Sequence, residues 1–131
     1  MNSLIQAVDT YEDSNLVNKG SITSELMRDG VIQRFEYTFE LSWKTLKRYL
    51  EVYGLENPDG FTNKQLFRVG FENGFIRDSE IWLKFLHNRN LTSHTYNENI
   101  AEEVYKNAKL FIKEVKFLFD KLQEKIKDDQ S

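Results

Sequence analysis

Ile32-Gln33-Arg34-Phe35-Glu36-Tyr37-Thr38-Phe39-Glu40-Leu41-Ser42-Trp43-Lys44 reads as a helix. Ile32, Phe35, Phe39 and Trp43 are three or four residues apart, and the same steps continue through Leu46, Leu50 and Tyr53. A half-buried strand would alternate every second residue, whereas this spacing places the apolar side chains on one face of an α-helix. The face is wide and aromatic, so other elements must cover it. Ser21 or Thr23 offers an N-cap and Gly54 a residue for the C-terminal cap. Gly30 interrupts the first part and costs about 1 kcal/mol relative to Ala if helical.

The neighbouring segments carry the same period. Upstream, residues 3–17 hold Leu4, Ile5, Val8, Tyr11, Leu16 and Val17, a modest pattern for one short helix before the loop Asn18-Lys19-Gly20-Ser21. Downstream, Asn57-Pro58-Asp59-Gly60 is a turn. A third helix starts with Thr62 and Gln65 as a capping box and Phe61 with Leu66 as a hydrophobic staple. It runs through Leu66, Val69 and Phe71 to Asn73-Gly74. The fourth begins near Asp78 or Ser79 and carries Ile81, Trp82, Phe85 and Leu86. The fifth begins between Thr95 and Asn99, with the stripe Ile100, Val104, Ala108, Phe111, Val115, Leu118, Leu122 and Ile126. Glu102 and Lys106 form an i,i+4 pair on its outer face, and the chain frays from Lys127 onward. The expectation is an all-α, up-and-down bundle of four to five helices. It forms one domain over residues 1–131, with 1–20 the most weakly patterned part and 128–131 a frayed tail.

Composition agrees and excludes several classes. At 131 residues the chain has room for one domain and buries enough surface to need no staple. It has no cysteine, which removes disulfides, thiolate zinc sites and a Cys nucleophile, and its two histidines, His87 and His94, do not make a multi-His metal cage. Eighteen basic against 21 acidic residues give a net charge of −3, which excludes a wholly basic nucleic-acid binder but not a local basic site. Between Lys64 and His94 the basic residues Lys64, Arg68, Arg77, Lys84 and Arg89 outnumber Glu72, Asp78 and Glu80. The densest apolar stretch, Phe111 to Leu122, is broken by Lys113, Glu114, Lys116 and Asp120, so it does not span a bilayer, and no signal peptide stands at the start. The expectation is a soluble cytoplasmic protein. Ten Phe, six Tyr and two Trp exceed what a small bundle needs inside, so part of that surface is expected to form a helix–helix dimer interface.

The informative polar segment is Arg89-Asn90-Leu91-Thr92-Ser93-His94-Thr95-Tyr96. Arg89 follows Phe85 by four residues and Trp82 by seven, so it continues the apolar face of the fourth helix and needs a partner or a purpose. Glu36 and Glu40 flank the aromatic stripe of the second helix. Glu40 pairs with Lys44 on the surface, or one of the two carboxylates crosses the bundle and orients Arg89. In an unbroken helix Arg89 and His94 would point roughly 140° apart. A break near Ser93, followed by a cap at Thr95, Asn97 or Asn99, lets both turn toward one point. His94 would then lie just before a helix N-terminus, which attracts anions. His87, two residues before Arg89, faces away from it. A guanidinium, an imidazole and the Asn90 amide suit phosphodiester cleavage without metal. The imidazole takes the proton of a ribose 2′-hydroxyl and the guanidinium stabilises the phosphorane, so no cofactor is needed.

The run Arg89-Asn90-Leu91-Thr92-Ser93-His94 resembles the Arg-x4–6-His motif of the HEPN domain family. His94-Thr95-Tyr96 and the segment Ile32 to Lys44 resemble the branch paired with minimal nucleotidyltransferases, described as nucleotidyltransferase substrate-binding proteins. The similarity covers nearly the whole chain from about Ile22. It implies an all-α homodimer in which two motifs face each other. It further implies a metal-independent RNase toxin neutralised when the nucleotidyltransferase attaches AMP to the motif tyrosine. Carried over, Arg89 and His94 are catalytic, Asn90 is supportive and Tyr96 is the modification target, with RNA as substrate. The alternative is a non-catalytic subunit that presents a substrate or nucleotide to the nucleotidyltransferase.

Overall fold

In the computed structural model, residues 2–18, 20–53 and 57–130 are described. Lys19, the cap expected at Gly54, the side chains of Leu16 and Val17, and Ser131 of the tail lie outside the described residues. The elements are α1 (Asn2–Asn18), α2 (Ile22–Val52), α3 (Asn63–Glu72), α4 (Ser79–Asn90), a 3-10 turn (Leu91–His94) and α5 (Glu98–Gln130). The all-α bundle expected from the periodicity is the fold.

The helix ends follow local chemistry. Ser21 caps α2, accepting from the Ser24 amide at 3.1 Å, and the helix runs unbroken through Gly30. Thr62 and Gln65 form the reciprocal capping box of α3 at 3.2 and 2.8 Å. At its far end the Phe75 amide donates to the Gly70 carbonyl and the Gly74 amide to Phe71, a Schellman closure that needs a positive φ, here 79° at Gly74. Asp78 caps α4. No Gly or Pro interrupts α5, which is helical to Gln130.

The core is aromatic and joins four helices. Phe35 and Phe39 of α2, Phe67 of α3, Trp82 and Phe85 of α4 and Phe111 of α5 are all buried. Phe111 meets Phe35 and Phe85 edge-to-face, each at 5.2 Å between ring centroids, and Phe39 stacks on Trp82 at 6.1 Å. Such pairs add about 0.5–1.5 kcal/mol each beyond area burial. Gly70 lets α3 approach α2 closely, because a Cβ there would meet the Leu46 side chain at 3.0 Å. Two expected core positions are outside: Phe71 is half exposed and Tyr53 is exposed. α1 adds Leu4, Val8 and Tyr11 to the same core. The bundle therefore brings the first half and middle of α2, the end of α4 and the start of α5 together around the polar turn after α4.

Candidate active site

Arg89 stands on the last turn of α4, with its side chain 30% exposed. Its Nε donates to Glu40 Oε1 at 2.7 Å, and its Nη2 lies 3.2 Å from Glu36 Oε1. The two carboxylates are one turn apart on α2, so they present a paired acceptor to a single guanidinium. The crossing contact foreseen for one of them is thus made by both. Glu40 Oε2 also accepts from Trp43 Nε1 at 3.2 Å, and the surface pairing with Lys44 is reduced to a 4.0 Å contact. Among the described residues, Nη1 of Arg89 makes no hydrogen bond.

The chain leaves α4 earlier than expected. The break comes after Asn90, and Leu91–His94 tightens into the 3-10 turn. Hydroxyls support it: Thr92 Oγ1 donates to the Arg89 carbonyl at 2.7 Å and Thr95 Oγ1 to the Thr92 carbonyl at 3.2 Å. Asn90 is exposed and makes no side-chain capping bond. His94 is exposed, and its ring lies edge-on to that of Tyr96 at 6.1 Å. Tyr96 is 87% exposed, so it is no ordinary packed tyrosine. His87 is also exposed. Arg89 and His94 are therefore on one turn but are not hydrogen-bonded to each other within the described residues: the guanidinium is drawn toward α2.

The anion seat expected at the start of α5 is largely filled. Asn97, not Thr95, is the cap: its Oδ1 accepts from the Asn99 and Ile100 amides at 2.9 and 3.2 Å. Glu98 adds a carboxylate to the first turn. Two amides are satisfied and the local charge is negative, so the phosphate-directed groups here are side chains rather than a helix end.

Two polar ties beside the turn were not foreseen. Arg28 of α2 is only 5% exposed; its Nη1 meets Glu98 Oε1 at 2.5 Å and Glu102 Oε1 at 2.9 Å, and its Nη2 meets Glu98 Oε2 at 3.0 Å. The hydrogen bonds that Arg28 donates to Glu98 raise the Arg28 pKa beyond its ordinary value and hold the Glu98 carboxyl below its own. Glu102 consequently reaches across to α2 rather than serving as a purely outer-face partner of Lys106. Arg28 precedes Ile32 by four residues, so continuation of an apolar stripe, the signal that singles out Arg89, marks it as well. The second tie is between Asn88 and Asn107, both buried, with Asn107 Nδ2 donating to Asn88 Oδ1 at 3.3 Å. Together with Arg89, these contacts link α2 to α4, α2 to α5 and α4 to α5 around the turn.

The arrangement offers an open imidazole for proton transfer, an oriented guanidinium with a free Nη1, and an exposed phenol two residues from the imidazole. Among the described residues, no group of three or more His, Cys, Asp or Glu is placed to hold a metal ion, and no helix is long and apolar enough to cross a membrane.

Comparison with known proteins places this geometry in a family. The sequence family described as nucleotidyltransferase substrate binding protein like matches residues 1–124. A Haemophilus influenzae protein named probable ribonuclease HepT is 33% identical over 126 residues, covering 94% of this chain and 86% of that protein. A solved H. influenzae structure, described as revealing the fold of a substrate binding domain of a nucleotidyltransferase, superposes with a TM-score of 0.83 at 30% identity and covers 93% of both chains. A crystal structure from Thermus thermophilus gives a TM-score of 0.67 at 34% identity, covering 91% of this chain and 98% of that one. The chain belongs to the HEPN-like family of nucleotidyltransferase substrate binding proteins.

Proposed function

We propose that this protein is a metal-independent endoribonuclease, the toxin of a toxin–antitoxin pair, restrained by a minimal nucleotidyltransferase that modifies Tyr96. The observation that carries the proposal is a fixed Arg89 followed by an open turn that bears both His94 and Tyr96. His94 removes the proton of a ribose 2′-hydroxyl; the 2′-oxygen attacks phosphorus, and the bond to the 5′-oxygen breaks as that oxygen takes a proton. The products are a 2′,3′-cyclic phosphate and a 5′-hydroxyl. Nη1 of Arg89 stabilises the phosphorane charge, and the Asn90 amide donates to the phosphate. DNA, without a 2′-hydroxyl, is inert.

The site is composite, two motifs facing each other in a cytoplasmic homodimer. Exposed Ile22, Leu26, Tyr37 and Leu41 on α2 support such a pairing, since they leave an apolar surface uncovered in the monomer. Modification inhibits by charge and bulk. Transfer of AMP from ATP to the Tyr96 oxygen releases pyrophosphate and a proton and leaves an anionic adduct beside His94 that repels RNA phosphate. Exposure of Tyr96 supports its access to a second protein.

Expression in a host without the partner tests this reading. The parent arrests growth, His94→Ala does not, and Tyr96→Phe stays toxic when the nucleotidyltransferase is supplied. The second reading, a non-catalytic substrate-presenting subunit, is favoured by the two carboxylates that neutralise Arg89. Harmless expression of unmodified protein, confirmed by intact mass, would select it.

A further inference from the structure

We propose that Arg28 is a positioning residue for the site: α2 holds the Arg89-to-Glu98 segment at both ends, through Glu36 and Glu40 at the first and through Arg28 at the second. Arg28 and Glu36 are eight residues apart on one helix, an anchor separation of about 12 Å along its axis. Between the two anchors the segment is a 3-10 turn and a bend, held by the hydroxyl bonds of Thr92 and Thr95. Tyr96 lies two residues before Glu98, and His94 four.

The second anchor is built to be rigid. Arg28 is nearly fully buried, and its guanidinium grips Glu98 through two parallel hydrogen bonds while Glu102, one turn on, takes a third. A bidentate grip fixes direction as well as distance, which a lysine in the same place cannot do. The first turn of α5 is thereby held against α2, the helix that also carries Glu36 and Glu40. Arg28 thus acts through Glu98 on the position of His94 and Tyr96 relative to Arg89, with no contact to RNA.

The catalytic part of this inference rests on the endoribonuclease reading; the positioning part does not. Hydrogen exchange of the backbone amides separates them. Arg28→Gln and Glu98→Gln should speed exchange over residues 95–100 about tenfold while residues 82–88 keep their parent rates. Arg28→Lys should restore little of the protection. Glu98 is 65% exposed, so Glu98→Gln opens the grip without endangering the core. Leu122→Ala, a core change outside the turn, serves as the control of comparable destabilisation. If the parent cleaves RNA, both anchor variants should lower kcat about tenfold with KM within twofold, since a misplacement of ångström size costs alignment rather than binding. Unchanged exchange over 95–100 in both anchor variants would overturn the proposal, as would equal loosening in the Leu122→Ala control. A parent that cuts no RNA, with anchor variants that loosen as described, would leave the positioning role standing and defeat only the endoribonuclease reading.

Discussion

Arg28 and Arg89 are bound alike and placed differently. Each guanidinium sits between two carboxylates one turn apart on a neighbouring helix. Arg28 is buried, and both of its terminal nitrogens are engaged. Arg89 is partly open, and its Nη1 makes no hydrogen bond among the described residues. The first arrangement spends both terminal nitrogens on the fold and leaves its buried Nε without a hydrogen bond among the described residues; the second leaves Nη1 on a partly exposed side chain. Two similar ion triads in one small bundle therefore differ in burial and access to solvent, not in the identity of the residues.

The largest expected effect separates the two directly. Arg89→Ala should lower RNA cleavage by about 10³-fold, some 4 kcal/mol of barrier, as loss of a donor to the developing charge does. Its unfolding free energy, measured in denaturant, should fall by less than about 1 kcal/mol, because the triad is half solvated. Arg28→Leu should invert that pattern. Removing one partner of a buried pair costs up to about 5 kcal/mol, but the Glu98 and Glu102 carboxylates left behind are 65% and 42% exposed and reach water. A loss of about 2 kcal/mol in stability is expected, with roughly tenfold lower cleavage. Equal shifts of both quantities in the two variants would erase the distinction.

Within the Arg89 triad, Glu40→Ala should reduce cleavage about tenfold and Glu36→Ala about threefold, since the shorter, directed bond holds the guanidinium more firmly. The order reversed, in steady-state rates, would mean that the 3.2 Å contact does the orienting. The smallest effect is one of pH. The hydrogen bonds from Arg28 hold the Glu98 carboxyl below its ordinary value, with desolvation opposing and the positive charge adding. Its stabilisation is therefore present above the unfolded carboxyl pKa of about 4.3 and is lost as pH falls through the lower folded value. The Tyr96 ring resonances should shift in that acid range in the parent and stay flat in Glu98→Gln.

Much of the fold was legible because its determinants are local. The stripe from Ile32 to Leu50, the box of Thr62 with Gln65 and the Asn73-Gly74 stop each act within a few residues, and each stands where the spacing placed it. What escaped depends on contacts far apart in the chain. Glu102 reads as an i,i+4 partner of Lys106, yet its donor, Arg28, is 74 residues away. Asn88 with Asn107 looks like ordinary helix surface until two buried faces bring the amides together. Periodicity puts the turn after α4 near Ser93 rather than after Asn90, because it does not register the Thr92 and Thr95 hydroxyls that bond backward and tighten the chain. For the site, Arg89 needing a partner was legible from its place on an apolar face. Its capture by both Glu36 and Glu40 required the packing of α4 on α2.

The most direct measurement is incubation of the purified protein with tRNA and mRNA in EDTA, beside His94→Ala of equal thermal stability. Cleavage by the parent alone, leaving 2′,3′-cyclic phosphate and 5′-hydroxyl ends, is the expected result. Intact RNA with parent protein whose mass shows an unmodified Tyr96, or equal cleavage by His94→Ala, would contradict it.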